Sequence, residues 1–263
     1  MNKIAVIPVR SGSKRLPKKN YKSFNSRTLA EIARDKCLKS GIFDKVIITS
    51  DDPVFEELVN SNEVEFLQRT ENLAGDDATT DMVVDFLFEE FPSCESVLWV
   101  NSVSPLQSIE DIKNCGTRLN SPDVDCVMAV NTLYQHCCID NEPLNFNPNN
   151  SFEKTQDLKP VQRYIYSCMG WKRATYVNYR SEGFKGLFPG KMALVEVSVL
   201  AGMLIKYEED FILCSKIEET MGLVPKLKNH SIKNASNFIK NNASSKIYSL
   251  NVKNKLQTLK QIS

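Results

Sequence analysis

The chain has 263 residues, 42% apolar and 25% charged, a balance that suits a globular protein with one large core. Thirty-three Lys and Arg against thirty-two Asp and Glu leave a formal net charge of +1, which excludes a whole-molecule field for gathering nucleic acid or an anionic membrane. Any anion site must therefore be local. Lys3–Val9 reads as a buried strand, Thr28–Ser40 as an amphipathic helix, Lys45–Thr49 as a strand and Val54–Asn60 as a helical segment. Val64–Gln68, Ser96–Val100 and Cys126–Asn131 follow as strands, with helices predicted over Thr80–Glu90 and Ile109–Leu119. Continuous Val and Ile in strands that alternate with helices is the pattern of parallel strands covered on both faces, so up to about residue 131 the fold class is α/β, a doubly wound, mostly parallel sheet.

From Thr132 to Gly190 that rhythm breaks on Asn, Pro and Gly punctuation around short aromatic stretches, and the segment reads as an insertion of strands and long loops. Met192–Leu200 resumes as a strand and Glu208–Met221 as a helix with acidic residues in its first turn. The expected organisation is one principal domain over 1–222, with the insertion at about 132–190, and a polar extension over 223–263 where Lys, Asn and Ser dominate.

The opening apolar stretch Ile4–Pro8 is too short for a signal peptide, and no apolar run approaches the roughly 20 residues that span a bilayer. The eight cysteines are scattered without a C-x-x-C pair, which fits reduced, mostly buried thiols in a cytoplasmic protein. His136-Cys137-Cys138 is the one cluster that could suggest a metal, but the only other histidine is His230, so a four-ligand zinc site lacks partners and a loop or edge strand is expected there.

The chemistry concentrates in the loop after the first strand. Arg10-Ser11-Gly12-Ser13-Lys14-Arg15-Leu16-Pro17-Lys18-Lys19-Asn20 places one glycine, two serines and five cationic side chains at the carboxyl edge of a parallel strand. Such a loop can turn backbone N–H groups and cations together onto a polyphosphate. Near-zero net charge without aromatic interleaving argues against nucleic acid as the anion.

Ile7-Pro8-x-Arg10-x-Gly12-Ser13-Lys14-Arg15-Leu16-Pro17-x-Lys19-Asn20 resembles the N-terminal signature of the acylneuraminate cytidylyltransferases, enzymes that make CMP-activated sialic acids and related keto sugars. Ile47–Asp52, Arg69–Asp77 with Ala78-Thr79-Thr80, and Asn101–Gln107 resemble three further motifs of that family in the same order. The resemblance implies a Rossmann-like nucleotidyltransferase fold in which the inserted segment mediates dimerisation, so a homodimer is expected, with Tyr164, Tyr166, Trp171, Tyr176 and Tyr179 as its aromatic surface. It implies CTP and a sialic-acid-type sugar as partners, with no nucleic acid and no membrane. Arg10 and Lys19 would act in catalysis by neutralising phosphate charge. Gly12, Ser13, Lys14, Asn20, Arg69, Thr79 and Thr80 would complete the nucleotide site, and Asn101 with Gln107 would face the sugar.

Magnesium is the cofactor the resemblance implies. The family usually holds it on an Asp-Ile-Asp pair followed by Glu-Asp-Phe, whereas here Leu204 and Lys206 stand at the paired positions before Glu209-Asp210-Phe211. Asp111 and Glu196 are the expected replacement ligands, with Asp76 and Asp77 as further candidates and a helix N-terminal role open for Asp111. Gln107 also replaces an arginine that would suit an acidic sugar. Two alternatives follow from these departures: a nucleotidyltransferase acting on a different sugar or sugar phosphate, or a nucleotide-binding homologue without turnover.

Overall fold

The computed structural model describes residues 2–228. Seven strands form the main sheet: β1 (Lys3–Pro8), β2 (Lys45–Ser50), β3 (Val64–Gln68), β4 (Ser96–Val100), β5 (Cys126–Leu133), β8 (Val161–Lys172) and β9 (Met192–Glu196). β6 (Cys138–Ile139) and β7 (Glu142–Pro143) pair in a small separate hairpin. The helices are α1 (Leu29–Ser40), α2 (Thr80–Glu90), α3 (Ile109–Leu119), α4 (Arg173–Ser181) and α5 (Glu208–Lys228).

The sheet order is β3-β2-β1-β4-β8-β5-β9, parallel except for β8, which runs antiparallel to both of its neighbours. Because alternate residues of a strand face opposite ways, Ala5 and Ile7 of β1 pack under α1 and α3 while Ile4 and Val6 pack under α2 and α4. Both faces are covered, which is why the strands read as unbroken apolar runs. From β1 the chain winds outward through β2 and β3, then returns to the other side of β1 as β4. The order reverses there, and at such a reversal the loops leave a crevice beyond the carboxyl ends of the strands.

Local signals set the helix starts. Thr28 accepts the N–H of Glu31 while the Glu31 carboxylate accepts the N–H of Thr28, a capping box that opens α1, and Gly41 in the left-handed region closes it. Ser108 and Asp111 form the same reciprocal cap on α3. Among the described residues no helix is long and apolar enough to cross a membrane. All eight cysteines are free thiols, six of them buried.

Four expectations need correction. The helical segment predicted at 54–60 is a 3-10 turn, Pro53–Leu58, opened by Pro53 after an Asp52 cap. The strand predicted over Met192–Leu200 stops at Glu196, because Ser198 caps a second 3-10 turn over Val199–Gly202. The 132–190 segment is not wholly an insertion, since its second half supplies β8 to the middle of the sheet and α4 to one face. Trp171 and Tyr176, predicted as interface aromatics, are core residues at 0% and 1% exposure. The indole N–H of Trp171 donates to Leu187 O at 2.7 Å.

Close packing at β8 favours glycine at 170: a Cβ there would lie 2.7 Å from Leu119 Cδ2 and 2.9 Å from Leu98 Cδ1, so these side chains would have to shift. Gly170→Ala is expected to destabilise the protein by about 1–3 kcal/mol through overpacking, measurable by denaturant unfolding, and an unchanged midpoint would contradict the packing described. The chain divides into two compact units, 1–215 and 216–263, with the division inside α5. Of the predicted extension 223–263, residues 229–263 lie outside the described residues.

Candidate functional site

The crevice at the sheet reversal is a cleft of about 590 Å³. Arg10, Ser13, Lys14, Lys19 and Asn20 line it from the loop after β1, and Arg69 lines it from the end of β3. Thr79 and Thr80 at the start of α2 and Asn101 after β4 complete the predicted residues that meet there. Gly12 belongs to the same loop but sits in the open, with nothing within 4 Å of an added Cβ.

Struts from neighbouring elements hold the loop in place. Asp51 accepts the Ser11 N–H at 2.9 Å and the Ser11 hydroxyl, tying the loop to the end of β2. Burial pushes the Asp51 carboxyl up, but the Ser11 hydrogen bonds outweigh it and Arg69 adds to them, so it titrates below the usual range. Asn20 donates to Arg10 O at 2.9 Å and folds the loop back on itself. Arg69, 6% exposed, donates to Val9 O at 2.8 Å and Leu73 O at 3.1 Å, which joins the loop after β1 to the one after β3.

Lys19 reaches across the cleft wall and donates to Ile205 O at 3.0 Å. Burial first, then repulsion from Arg15 and Arg10, brings its ammonium down to about 8, with Asp210 partly opposing. Arg69 falls to about 10, chiefly by burial. Arg15 also lines the cleft, so five cationic side chains face one carboxylate, Asp76. That carboxylate pairs with Lys14 at 2.7 Å and lies 4.0 Å from Arg10. Three buried polar atoms on lining residues have no protein partner: Asn20 Oδ1, Arg69 Nε and Trp99 Nε1. An unpaired buried polar group costs about 1–3 kcal/mol, and a ligand rich in donors and acceptors would relieve it. The arrangement can therefore concentrate a polyanion at one end and hydrogen-bond a polar group at the other.

Three predicted site residues lie elsewhere. Gln107 is buried at 1% exposure with its amide against Cys168 Sγ, away from the cleft lining. Asp111 accepts the N–H groups of Ser108 and Ser198 and the Ser198 hydroxyl, a cap shared by α3 and the turn after β9. Glu196 accepts the N–H and hydroxyl of Thr132 at the sheet edge. Both carboxylates are engaged away from the cleft lining, and among the described residues no group of three His, Cys, Asp or Glu is placed to hold a metal. The donor set of the cleft, amide and hydroxyl oxygens with one ion-paired carboxylate, does not fit a resident magnesium ion. His136, Cys137 and Cys138 fall at the small hairpin, where His136 stacks on Phe152 at 4.1 Å between ring centroids.

Sequence reasoning missed Trp99, which lines the cleft from β4. The available signal was a single tryptophan in an otherwise aliphatic strand, two residues before Asn101 and hence on the same strand face.

Residues 4–176 match the family described as cytidylyltransferase. The N-acylneuraminate cytidylyltransferase of Streptococcus agalactiae is 32% identical over 139 residues, 52% of this chain and 33% of that protein. The pseudaminic acid cytidylyltransferase of Campylobacter jejuni is 29% identical over 170 residues, 63% of each chain. The match thus spans about a third of the Streptococcus relative's length. Among solved structures, a CMP:2-keto-3-deoxy-manno-octonic acid synthetase complexed with CTP superposes with a TM-score of 0.62 at 13% identity, covering 84% of this chain and 100% of that one. The 4-diphosphocytidyl-2C-methyl-D-erythritol synthase of Anaerococcus prevotii gives a TM-score of 0.61 at 15% identity, covering 83% and 98%. At these identities the structural likeness concerns the fold.

Proposed function

Since the chain belongs to the cytidylyltransferase family, we propose that it transfers CMP from CTP to the anomeric hydroxyl of a keto sugar acid of the sialic acid type. The observation that carries this reading is the cationic cleft at the sheet reversal. In the reaction the sugar oxygen attacks the α-phosphorus, the bond to the bridging α–β oxygen breaks, and pyrophosphate leaves. The hydroxyl proton passes to solvent.

Catalysis of this kind is positioning plus neutralisation of charge on the phosphoryl oxygens. Arg10 and Lys19 take the phosphate charge, the Gly12–Ser13 backbone and Lys14 support it, and Asn20, Arg69, Thr79 and Thr80 hold the nucleoside. Asn101 faces the sugar. The displacement of Gln107 from the cleft supports a second reading, transfer to a different sugar or sugar phosphate. Pyrophosphate release from CTP, tested with N-acetylneuraminate, pseudaminate and 2-keto-3-deoxy-manno-octonate, separates the two. Release with none of them, together with tight CTP binding, would favour a nucleotide-binding protein without turnover.

The Lys19 ammonium sets a pH dependence. Bound phosphate favours its charged form, so CTP affinity is expected to hold steady below about pH 8 and fall as pH rises beyond it. Calorimetric titration across that range checks this, and affinity unchanged up to pH 10 would place the phosphates away from Lys19.

A homodimer belongs to the same reading. Tyr164 and Tyr166 share one face of β8, both exposed, and Tyr164 Oη lies 3.9 Å from Met192 Sδ on the edge strand β9. Exposed aromatics beside an edge strand suit burial against a second copy. Tyr166→Glu is expected to shift sedimentation from dimer to monomer, and an unshifted dimer would locate the interface elsewhere.

A further inference from the structure

We propose that the cleft binds the nucleoside triphosphate as the bare polyanion, its own cations standing where a divalent metal would otherwise be needed. This rests on the nucleotide site proposed above. Asp76 is the one carboxylate in the cleft lining and it is engaged, as are Asp51, Asp52 and Asp210 around it, while Asp77 beside it is exposed and does not line the cleft. Asp76 pairs with Lys14 and lies within reach of Arg10. Asp51 accepts the N–H and hydroxyl of Ser11, and Asp52 accepts the Tyr21 hydroxyl at 2.6 Å and the Val54 N–H at 2.9 Å. Asp210 accepts the N–H groups of Lys206 and Tyr207 at 2.8 and 2.9 Å. A magnesium ion inside the cleft, which must keep near-octahedral oxygen coordination, would have to displace Lys14 to gain the one carboxylate of the lining.

On the wall nearest Lys19 the Ile205 carbonyl is taken up by the Lys19 ammonium and the Asp210 carboxylate by backbone N–H groups. Ile205 accepts Lys19 Nζ at 3.0 Å and its N–H donates to Val103 O at 2.8 Å, which fixes the segment against two residues of the cleft. Its flanking residues are Leu204 and Lys206, one apolar and one cationic. A free triphosphate carries about four negative charges near neutral pH, each phosphate keeping at least one. Five lining cations against one carboxylate match that charge without a metal. In the protein alone burial first, and then repulsion from Arg15 and Arg10, works against the Lys19 charge. A polyanion relieves that repulsion and a divalent cation adds to it.

Calorimetric titration of CTP into the full chain, once in EDTA and once in excess magnesium chloride, tests the inference. The expected dissociation constant in EDTA is equal to or lower than that in magnesium. Affinity at least about tenfold weaker in EDTA overturns this inference alone and leaves the nucleotide site standing. No binding in either buffer overturns both. Leu204→Asp combined with Lys206→Asp is expected to bind CTP more weakly in EDTA and to recover affinity with magnesium, while a magnesium response identical to that of the parent chain would count against the proposal. Should the double variant fail to fold, the titration of the parent chain still decides.

Discussion

Lys19→Met is expected to lower CTP turnover by about two to three orders of magnitude while leaving the unfolding midpoint unchanged or slightly raised. The two halves of this expectation have one cause. In the protein alone, burial and the nearby Arg15 and Arg10 work against the Lys19 charge, so the charged ammonium is a liability to the fold that only an anion can offset. Between about pH 8 and 10.5 the unfolded chain holds the Lys19 proton that the folded one releases, and stability contributed through this residue rises with pH in that window. Methionine keeps the aliphatic stem and gives up the charge. Pyrophosphate release and thermal unfolding measured on the same preparation check both halves. Full activity would remove Lys19 from the phosphate site, and a large loss of stability would make it a structural residue.

Asp111→Ala is expected to destabilise the fold by about 3 kcal/mol, with or without magnesium. The carboxylate closes the start of α3 and draws in the turn after β9, and its removal strands the N–H groups of Ser108 and Ser198. Burial raises the Asp111 carboxyl, but the Ser198 and Ser108 hydrogen bonds outweigh it and hold it below the ordinary value. That contribution is therefore complete above the unfolded carboxyl value of about 3.9 and is lost as pH falls through the folded one. Denaturant unfolding of both forms, in EDTA and in magnesium, distinguishes a cap from a ligand. A ligand would show a stability deficit that appears only when magnesium is present.

Much of the frame was legible because its physics is local. Lys3–Pro8, Lys45–Ser50 and Ser96–Val100 lie between helical layers, so their central positions are continuously apolar and the run announces itself. Thr28 with Glu31 marks a helix start within four residues. The cationic loop after β1 stood out because five cations in eleven residues after a buried strand have few other uses.

Pairings across the chain were less legible. β8 was hidden because Gln162, Arg163 and Tyr164 near its start face solvent, and because an antiparallel strand inside a parallel sheet has no rhythm of its own. Asp111 and Glu196 looked available as ligands because a sequence shows a carboxylate but not the N–H groups it accepts from Ser198 and Thr132, residues far along the chain. Gln107 follows a motif that does reach the cleft through Asn101, Ser102 and Val103, yet the turn ending in Gln107 points its amide into the core.

The account depends on the cations after β1 gripping a nucleotide's phosphates. The structure of this protein in complex with CTP tests that most directly. The phosphate oxygens are expected within hydrogen-bonding distance of Lys19 Nζ and the Arg10 guanidinium, with the base toward Asn20 and Arg69. A CTP molecule bound elsewhere, or one whose phosphates face solvent while Lys19 keeps its bond to Ile205 O, would contradict it.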